Sequence, residues 1–329
     1  MALNDKSETN RKLATDNICS AIQLECKSKE QLLKRLLNYA KRNNDKGKIT
    51  KSILASCVNK PNSLGGYCSS ALKTIILIND DWSRNLIKDY LSNSDISRYM
   101  KTEIIECILT NFGAKSGYSL NLTHEDLKSI NDYDWYHIYA KAKDPEDNLV
   151  KMIEDYLFER SSKCKEFDNL FVSALVENKR LRIVPYLIEE GLKSSEGVIR
   201  EFYVPKKLFK DYASILKRLF WIDKTSEKTE GRGSIYYEKY KYDTSDSTQA
   251  LKELCEIKSD FSSFILNIVK DRKPIEKTAW REQITDDWVD WRYTKISFAE
   301  QQKIAVTELE KRNNPIPNIE DLKLSDFEL

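Results

Sequence analysis

Apolar residues recur at intervals of three and four positions through most of the first half of the chain, which is the spacing of one helical face. Two of these stripes are Leu32, Leu33, Leu36, Leu37 and Ala40, and Leu149, Val150, Ile153, Tyr156 and Leu157. Glycine and proline, which interrupt helices, number only 9 and 7 in 329 residues. The pattern therefore predicts a mainly α fold built from successive helices.

The connections between the stripes are short, and no signature residue recurs at a fixed period. We expect residues 12–178 to form a multi-helix domain, either an irregular bundle or a short solenoid that resembles HEAT-like arrays in helix length. Residues 1–11 are polar and are predicted to fray. Residues 244–312 are predicted to form a helical C-terminal region, and residues 313–329 form an acidic tail with interspersed apolar side chains.

The segment 220–242 departs from helical periodicity and predicts a β-hairpin. Its first strand is assigned to Phe220, Trp221 and Ile222, and its tip to the charged stretch 224–233, which contains glycine. In the second strand, within 234–242, tyrosines alternate with charged residues. Aromatic and β-branched residues around a polar turn that contains glycine are typical of hairpins.

Three helices are predicted directly before this hairpin, over 182–192, 194–202 and 205–219. The third carries an apolar face and many cations, and its apolar face consists of Leu208, Tyr212, Ile215 and Leu219. Three helices followed by a hairpin resemble a winged-helix DNA-binding domain over residues 179–243. The resemblance rests on the order of the elements, and it implies that the third helix and the hairpin contact duplex DNA.

Local charge favours the same interpretation. Residues 200–242 contain 11 basic and 6 acidic side chains, whereas the whole chain carries a net charge of only +2. Such a local surplus can contact several phosphates, although the balanced total gives no support to DNA binding. The cations assigned to this contact are Lys206, Lys207, Lys210, Lys217, Arg218, Lys228, Arg232, Lys239 and Lys241.

A second aromatic group and the tail offer a protein-binding alternative. Trp280, Ile284, Trp288 and Trp291 are spaced 4, 4 and 3 apart, which predicts one face of a helix. That face either anchors a protein partner or packs against the preceding domain. Phe327 in the tail either docks in a partner's groove or folds back on its own domain. The candidate partner-binding residues are Trp280, Trp288, Trp291 and Phe327.

Catalytic motifs are scarce. Glu256 and Lys258 follow Asp243 and Asp246 and form an E-x-K pattern, which in metal-dependent nucleases holds Mg²⁺ and orients water. The surrounding residues have helical rather than strand spacing, which disfavours that reading. The chain has two histidines and no phosphate-binding loop, dinucleotide fingerprint or nucleophile elbow. We therefore assign no catalytic residue, no metal site and no small-molecule cofactor.

The seven cysteines are odd in number and contain no CxxC pair, which indicates reduced thiols in a reducing compartment. The first residues lack the apolar run of a signal peptide, and no stretch approaches 18 apolar residues. We expect a cytoplasmic protein without a membrane span.

The sequence thus predicts a non-enzymatic, DNA-associated adaptor or subunit of a larger complex. The alternatives are a protein–protein scaffold that does not contact nucleic acid and a Mg²⁺-dependent nuclease.

Overall fold

The computed structural model describes residues 8–23, 29–59, 69–93, 97–113, 117–118, 120, 127–128, 131–194, 202–231, 236–284 and 287–328. The chain divides into two compact units, Met1–Ala174 and Leu175–Leu329. Helices dominate both units and one small antiparallel sheet lies in the second, which confirms the mainly α prediction.

The described part of the first unit is helical, and the boundary between the units falls within its last helix. These helices are α1 Glu8–Gln23, α2 Lys29–Ala40, α3 Asp45–Asn59, α4 Ser69–Ile78, α5 Asp81–Ser92, α6 Arg98–Asn111, α7 Asp132–Lys141, α8 Asn148–Cys164 and α9 Asn169–Glu177. Side-chain caps set several starts. Asp80 accepts from the Ser83 backbone before α5, and Ser97 accepts from that of Met100 before α6. Because α1 begins at Glu8, the prediction of a frayed end over 1–11 is wrong for residues 8–11.

Helix α4 forms the centre of the first six helices. Leu72, Ile75 and Ile76 are fully buried, and α4 contacts each of α1, α2, α3, α5 and α6. Its sequence SSALKTIILI is apolar on nearly all sides, which is the composition of a buried helix. In a solenoid each repeat contacts only its neighbours. A central helix with five neighbours is instead the packing of an irregular bundle.

A disulfide between Cys19 and Cys57 joins α1 to α3. Both residues are buried, and 38 positions separate them in sequence. The expectation of reduced thiols throughout is wrong for this pair. The sequence could not reveal it, because only the packing of α1 on α3 brings the two residues together. Cys107, Cys164 and Cys255 are free.

The described part of the second unit contains six α-helices and two pairs of strands. Its helices are α10 Val184–Lys193, α11 Lys206–Phe209, α12 Tyr212–Leu219, α13 Ser245–Glu256, α14 Asp260–Val269 and α15 Ala299–Arg312. Its strands are β1 Asp223–Glu230, β2 Tyr236–Asp243, β3 Ile275–Ile284 and β4 Asp287–Ile296. Short 3-10 helices cover Leu181–Ile183, Ile319–Asp321 and Leu324–Phe327.

The side chain of Arg272 ties the helices of this unit together. It is 4% exposed and donates to the backbone carbonyls of Leu192 (3.1 Å) and Leu219 (3.3 Å) at the ends of α10 and α12. It also donates to Gln301 Oε1 at 2.6 Å and lies 3.6 Å from the centre of the Phe298 ring. Because no carboxylate is among these partners, burial lowers the pKa of Arg272 to about 9.

The predicted third helix, 205–219, is interrupted. Lys210 has φ 45° and ψ −119°, a conformation that a helix cannot contain, so the segment forms α11 and α12 instead. In α12 the buried residues are Tyr212, Ala213, Leu216 and Leu219, whereas Ile215 is only half-buried. The predicted helix 182–192 corresponds to a 3-10 turn followed by α10, in which Pro185 lies in the first turn. The predicted helix 194–202 lies mostly outside the described residues.

The four strands form one antiparallel sheet in the order β1-β2-β3-β4. The predicted hairpin exists, but its first strand is wrong. Phe220 ends α12, and β1 is the charged segment that had been assigned to the tip. Each residue of β1 from Asp223 to Glu230 pairs with β2 and is exposed. An exposed edge strand lacks the alternation of apolar residues that marks a half-buried strand, which explains the error.

The predicted tryptophan-rich helix is also wrong. Trp280 lies in β3, and Trp288 and Trp291 lie in β4. The spacing of 4, 4 and 3 is therefore distributed over two different strands. The strands contain many β-branched and aromatic residues, which favour sheet over helix.

Candidate functional site

The sheet extends from the helices of the second unit as an arm, and we call its four strands the sheet arm. Its base is a cluster of Ile222, Ile296 and Phe298, with Tyr242 and Ile275 packed against it. Strands β1 and β4 are the two edges of the sheet, and most of their residues are exposed.

One face of the sheet arm carries an ion pair between the buried Glu238 and the half-buried Arg281. Glu238 is 4% exposed and accepts from Tyr240 Oη and from Arg281 Nε, both at 2.8 Å. Burial alone raises the pKa of Glu238, but the hydrogen bonds from Tyr240 and Arg281 outweigh it and hold that pKa below its usual value. Burial and the Glu238 carboxylate raise the pKa of Tyr240 to about 12. Glu238 is thus ionised at neutral pH and joins β2 to β3.

The cations of this face lie over aromatic rings of the arm. Lys224 Nζ is 3.6 Å from the centre of the Tyr240 ring, and the Arg281 guanidinium is 4.4 Å from that of Trp288. Lys228 Nζ lies 5.6 Å from the Trp288 ring. These cation–π contacts stabilise the sheet itself. Lys228, which the sequence assigned to DNA, therefore already has a partner within the arm.

Strand β4 leaves three large apolar side chains open to solvent. Val289, Trp291 and Tyr293 are 45%, 52% and 55% exposed. The Trp291 ring lies 6.1 Å from that of Trp280, and Lys239 Nζ lies 5.1 Å from the Trp280 ring. The pairing passes from Trp280–Arg292 to Arg281–Asp290, so Trp291 is an extra residue at a β-bulge.

The charge of the sheet arm is balanced. Its strands contain nine acidic and eight basic residues. The surplus of cations counted over 200–242 therefore does not lie in the sheet, because β1 and β2 together carry five acidic and four basic residues and β3 and β4 carry four of each. The arm as a whole does not carry the positive field that attracts phosphates.

Most of the helical cations assigned to DNA form ion pairs. Arg218 donates to Asp246 at 2.8 Å and to Glu253 at 2.6 Å, and these two hydrogen-bonded carboxylates raise its pKa. Lys207 pairs with Glu177, and Lys210 pairs with Glu328. A paired cation has less attraction left for a phosphate.

The remaining predicted cations differ in accessibility. Lys206 and Lys241 are exposed, and neither forms an ion pair with any residue that the structure describes. Lys217 is half-buried, and Arg232 lies outside the described residues. Of the eight predicted cations that the structure describes, Lys207, Lys210 and Arg218 thus form ion pairs, and Lys228 and Lys239 lie over aromatic rings.

The residues of the E-x-K pattern are engaged in other contacts. Lys258 pairs with Glu308 of α15, and Asp246 pairs with Arg218. Asp243 accepts from the backbone of Ser245 at the start of α13. Among the residues in the described ranges, no group of three or more potential metal ligands occurs.

The tail folds back on the second unit. Phe327 is fully buried, and its ring centre lies 3.9 Å from that of Phe261. Leu322 is also buried. Of the two readings of the tail, the structure therefore favours the internal one, and Phe327 as a partner-binding residue is wrong because no surface of it is left for a partner.

Several residues of the arm were missed by sequence reasoning. Val289, Tyr293 and the ion pair of Glu238 and Arg281 were not singled out. The signal that could have found the β3–β4 pair was the β-branched and aromatic content of 275–296.

Within the described part of the chain, no helix is long and apolar enough to cross a membrane. Comparisons of the chain with protein-family models, with curated proteins and with solved structures found no match.

Proposed function

We propose that this chain is a non-enzymatic, protein-binding subunit of a larger assembly and that strand β4 of the sheet arm is its docking surface. The observation that carries the proposal is the exposure of Val289, Trp291 and Tyr293 on one edge strand. Scattered apolar side chains are normal on protein surfaces, whereas here Trp291 lies beside Trp280, with ring centres 6.1 Å apart, and Val289 is two positions away on the same strand. Aromatic residues at such patches are enriched in protein interfaces.

The balanced charge of the arm supports a protein partner over nucleic acid. DNA binding draws its affinity from cations that meet phosphates. In the sheet arm, acids match cations in number, and Lys224, Lys228 and Arg281 lie over aromatic rings. A protein interface needs no surplus charge, because its central residues are largely apolar.

The docking proposal is tested by photo-crosslinking. A photoreactive amino acid replaces Val289 in the full chain, and a matched control carries it at Thr225, which is exposed on β1 at the opposite edge. We expect light-dependent adducts from position 289 and few from position 225, and mass spectrometry identifies what is bound. Equal yields at the two positions, or no adduct at 289, would refute the proposal.

A second candidate function is contact with duplex DNA through the winged-helix-like segment 179–243. It is favoured by Lys206 and Lys241, which are exposed and lack an ion-pair partner among the described residues. Such binding should weaken as salt rises and should weaken further in a Lys206→Glu, Lys241→Glu variant. Fluorescence anisotropy with a labelled duplex at several salt concentrations measures both effects. An affinity for the duplex that changes neither with salt nor with the two substitutions would exclude DNA binding through this segment.

A further inference from the structure

Helices α2 and α3 carry a concentrated positive charge. Residues 29–51 contain eight basic and two acidic side chains, although the whole chain has a net charge of only +2. Lys51 pairs with Asp80, but six other cations are exposed, and none of the six forms an ion pair with a residue in the described ranges. We call these six the basic patch, which consists of Lys34, Arg35, Lys41, Arg42, Lys46 and Lys48.

The packing of the two helices brings four of these cations together. Only four residues join α2 to α3. Gly47 lies directly against this connection, because a Cβ atom at position 47 would be 1.9 Å from the carbonyl oxygen of Arg42. Only glycine permits so close an approach. The backbones of Lys46 and Lys48 therefore lie close to those of Lys41 and Arg42, and the four side chains share one end of the helical pair.

The neighbouring helices do not cancel this charge. Helix α4 packs on both α2 and α3, and its only charged residue is Lys73. Helix α1 packs on both as well and contains two acidic and two basic residues. Between Lys34 and Lys51 the chain has a single acid, Asp45. The basic patch thus differs from the cations of α11 and α12, several of which are neutralised by ion pairs.

Two of the lysines oppose the stability of their own helix. Lys46 and Lys48 lie among the first four residues of α3, where the helix dipole favours negative side chains. Asn44 satisfies one N–H group of this turn by accepting from the Gly47 backbone at 3.0 Å. Cations at these positions cost stability, so the fold does not explain them. An anionic partner does explain them, because it turns the unfavourable charge into an attraction.

We propose that the basic patch binds the phosphate backbone of a nucleic-acid duplex. Exposed lysine and arginine side chains meet successive phosphates without reading the bases. A membrane suits this surface less well, because helices that bind membranes insert an apolar face. The apolar faces of α2 and α3 are instead turned into the core, where Leu36, Ile53 and Leu54 are buried. The proposal is independent of the docking role of β4, since the patch belongs to the first unit.

The test titrates the full chain against labelled DNA and RNA duplexes and follows fluorescence anisotropy at several salt concentrations. One variant carries Lys41→Gln with Arg42→Gln, and the other carries Lys46→Gln with Lys48→Gln. We expect each variant to bind a duplex roughly tenfold more weakly than the wild type at low salt. The slope of log affinity against log salt should become shallower by about 2, because each lost phosphate contact removes about 0.9. Duplexes of unrelated sequence should bind equally, since the contacts reach only the backbone.

A control variant removes two cations elsewhere in the first unit. Lys151 and Lys163 are exposed and each pairs with a glutamate, so Lys151→Gln with Lys163→Gln changes the net charge equally but should leave affinity nearly unchanged. Urea unfolding separates weaker binding from weaker folding. The variant at Lys46 and Lys48 should keep or raise the wild-type urea midpoint, because it removes cations from the first turn of α3.

The outcomes separate the basic patch from the other surfaces of the chain. Failure to bind either duplex at low salt, or variants that bind as tightly as the wild type, would overturn the proposal. An equal loss in the control variant would also overturn it, because net charge alone would then account for binding. Binding to vesicles of an anionic phospholipid without binding to either duplex would assign the patch to membranes instead.

The second DNA-binding candidate is distinguished in the same titration. Lys206→Glu with Lys241→Glu should keep the affinity that the variants of the basic patch lose. If only this variant loses affinity, the binding surface lies within 179–243 and the basic patch is excluded. Crosslinking from position 289 does not involve the patch, so either result leaves the docking role of β4 to its own test.

Discussion

Replacing Gln301 by leucine tests whether Arg272 holds the second unit together. Gln301 is 1% exposed, and its Oε1 accepts the shortest hydrogen bond of Arg272, at 2.6 Å. Its Nε2 donates to Ser247 Oγ at 3.0 Å and to Thr248 Oγ1 at 3.3 Å. Leucine has a similar size and no polar atom, so the substitution removes all three hydrogen bonds and leaves the guanidinium buried.

The expected loss follows from these contacts. A hydrogen bond to a charged group contributes about 1.5–3 kcal/mol, and a neutral one contributes about 0.5–1.5 kcal/mol. Arg272 keeps its bonds to the carbonyls of Leu192 and Leu219. From one bond to a charged group and two neutral bonds, we expect Gln301→Leu to lower the free energy of unfolding by about 2.5–6 kcal/mol. Gln301→Glu should lose much less, because its carboxylate offers Arg272 the counter-charge that the site lacks.

Urea unfolding followed by tryptophan fluorescence measures the effect, since four of the six tryptophans belong to the second unit. The glutamate variant serves as the matched control for a changed shape at position 301. The free energy of unfolding of the leucine variant could instead lie within about 0.5 kcal/mol of the wild-type value, or the leucine and glutamate variants could have equal free energies of unfolding. Either result would show that Gln301 does not stabilise the buried Arg272. The buried charge would then be stabilised by its carbonyl contacts and the Phe298 ring alone.

Three further predictions concern other parts of the chain. Replacing Cys19 and Cys57 by alanine should destabilise the first unit by roughly 3.9 kcal/mol, because the unfolded chain is no longer constrained by a closed loop of 38 residues. A reductant should lower the urea midpoint of the wild type to a similar extent. A urea midpoint that does not respond to reductant would contradict the disulfide. Phe327→Ala should lower the free energy of unfolding by about 3–5 kcal/mol in the same assay, because the ring is fully buried. A decrease below about 1 kcal/mol would show that the second unit does not need the tail for its stability. Because the pKa of Glu238 is lower in the folded state, its ionisation stabilises the fold above the usual carboxyl pKa of 4.5, and this stabilisation disappears as pH falls through the folded pKa. The difference in urea midpoint between the wild type and Glu238→Gln should therefore shrink from pH 7 to pH 3. A difference that stays constant over this range would argue against the ion pair.

The helical part of the fold could be predicted because its signal is local. Stripes such as Leu149 to Leu157 report which side of a helix faces the core, and the corresponding helix α8 buries Val150, Ile153 and Leu157. The spacing of these apolar residues is visible in the sequence itself, so the sequence alone was sufficient to predict the helix. The choice between a bundle and a solenoid could not be predicted from the sequence, because it depends on the contacts of α4 with five other helices.

The sheet arm could be predicted only in part, because much of it is solvated. Strand β2 was located from its alternating tyrosines, of which Tyr240 is buried. Strand β1 has no buried residue, so nothing in its composition distinguishes it from a loop. The tryptophans of β3 and β4 matched a helical period by coincidence, because they lie on two different strands. Pairs such as Glu238 with Arg281 depend on the β2–β3 register, which no local pattern specifies.

The β2–β3 register also has a consequence for motion. Among the described residues, strands β1 and β2 share eight registered pairs and β3 and β4 share nine, whereas β2 and β3 share three. Two helices, α13 and α14, separate β2 from β3 in sequence. The sheet is thus two hairpins joined by a narrow seam, which Glu238 and Arg281 close. Such a seam is a boundary between two cooperative units. The backbone amides of these three pairs should therefore exchange hydrogen with solvent faster than those within either hairpin.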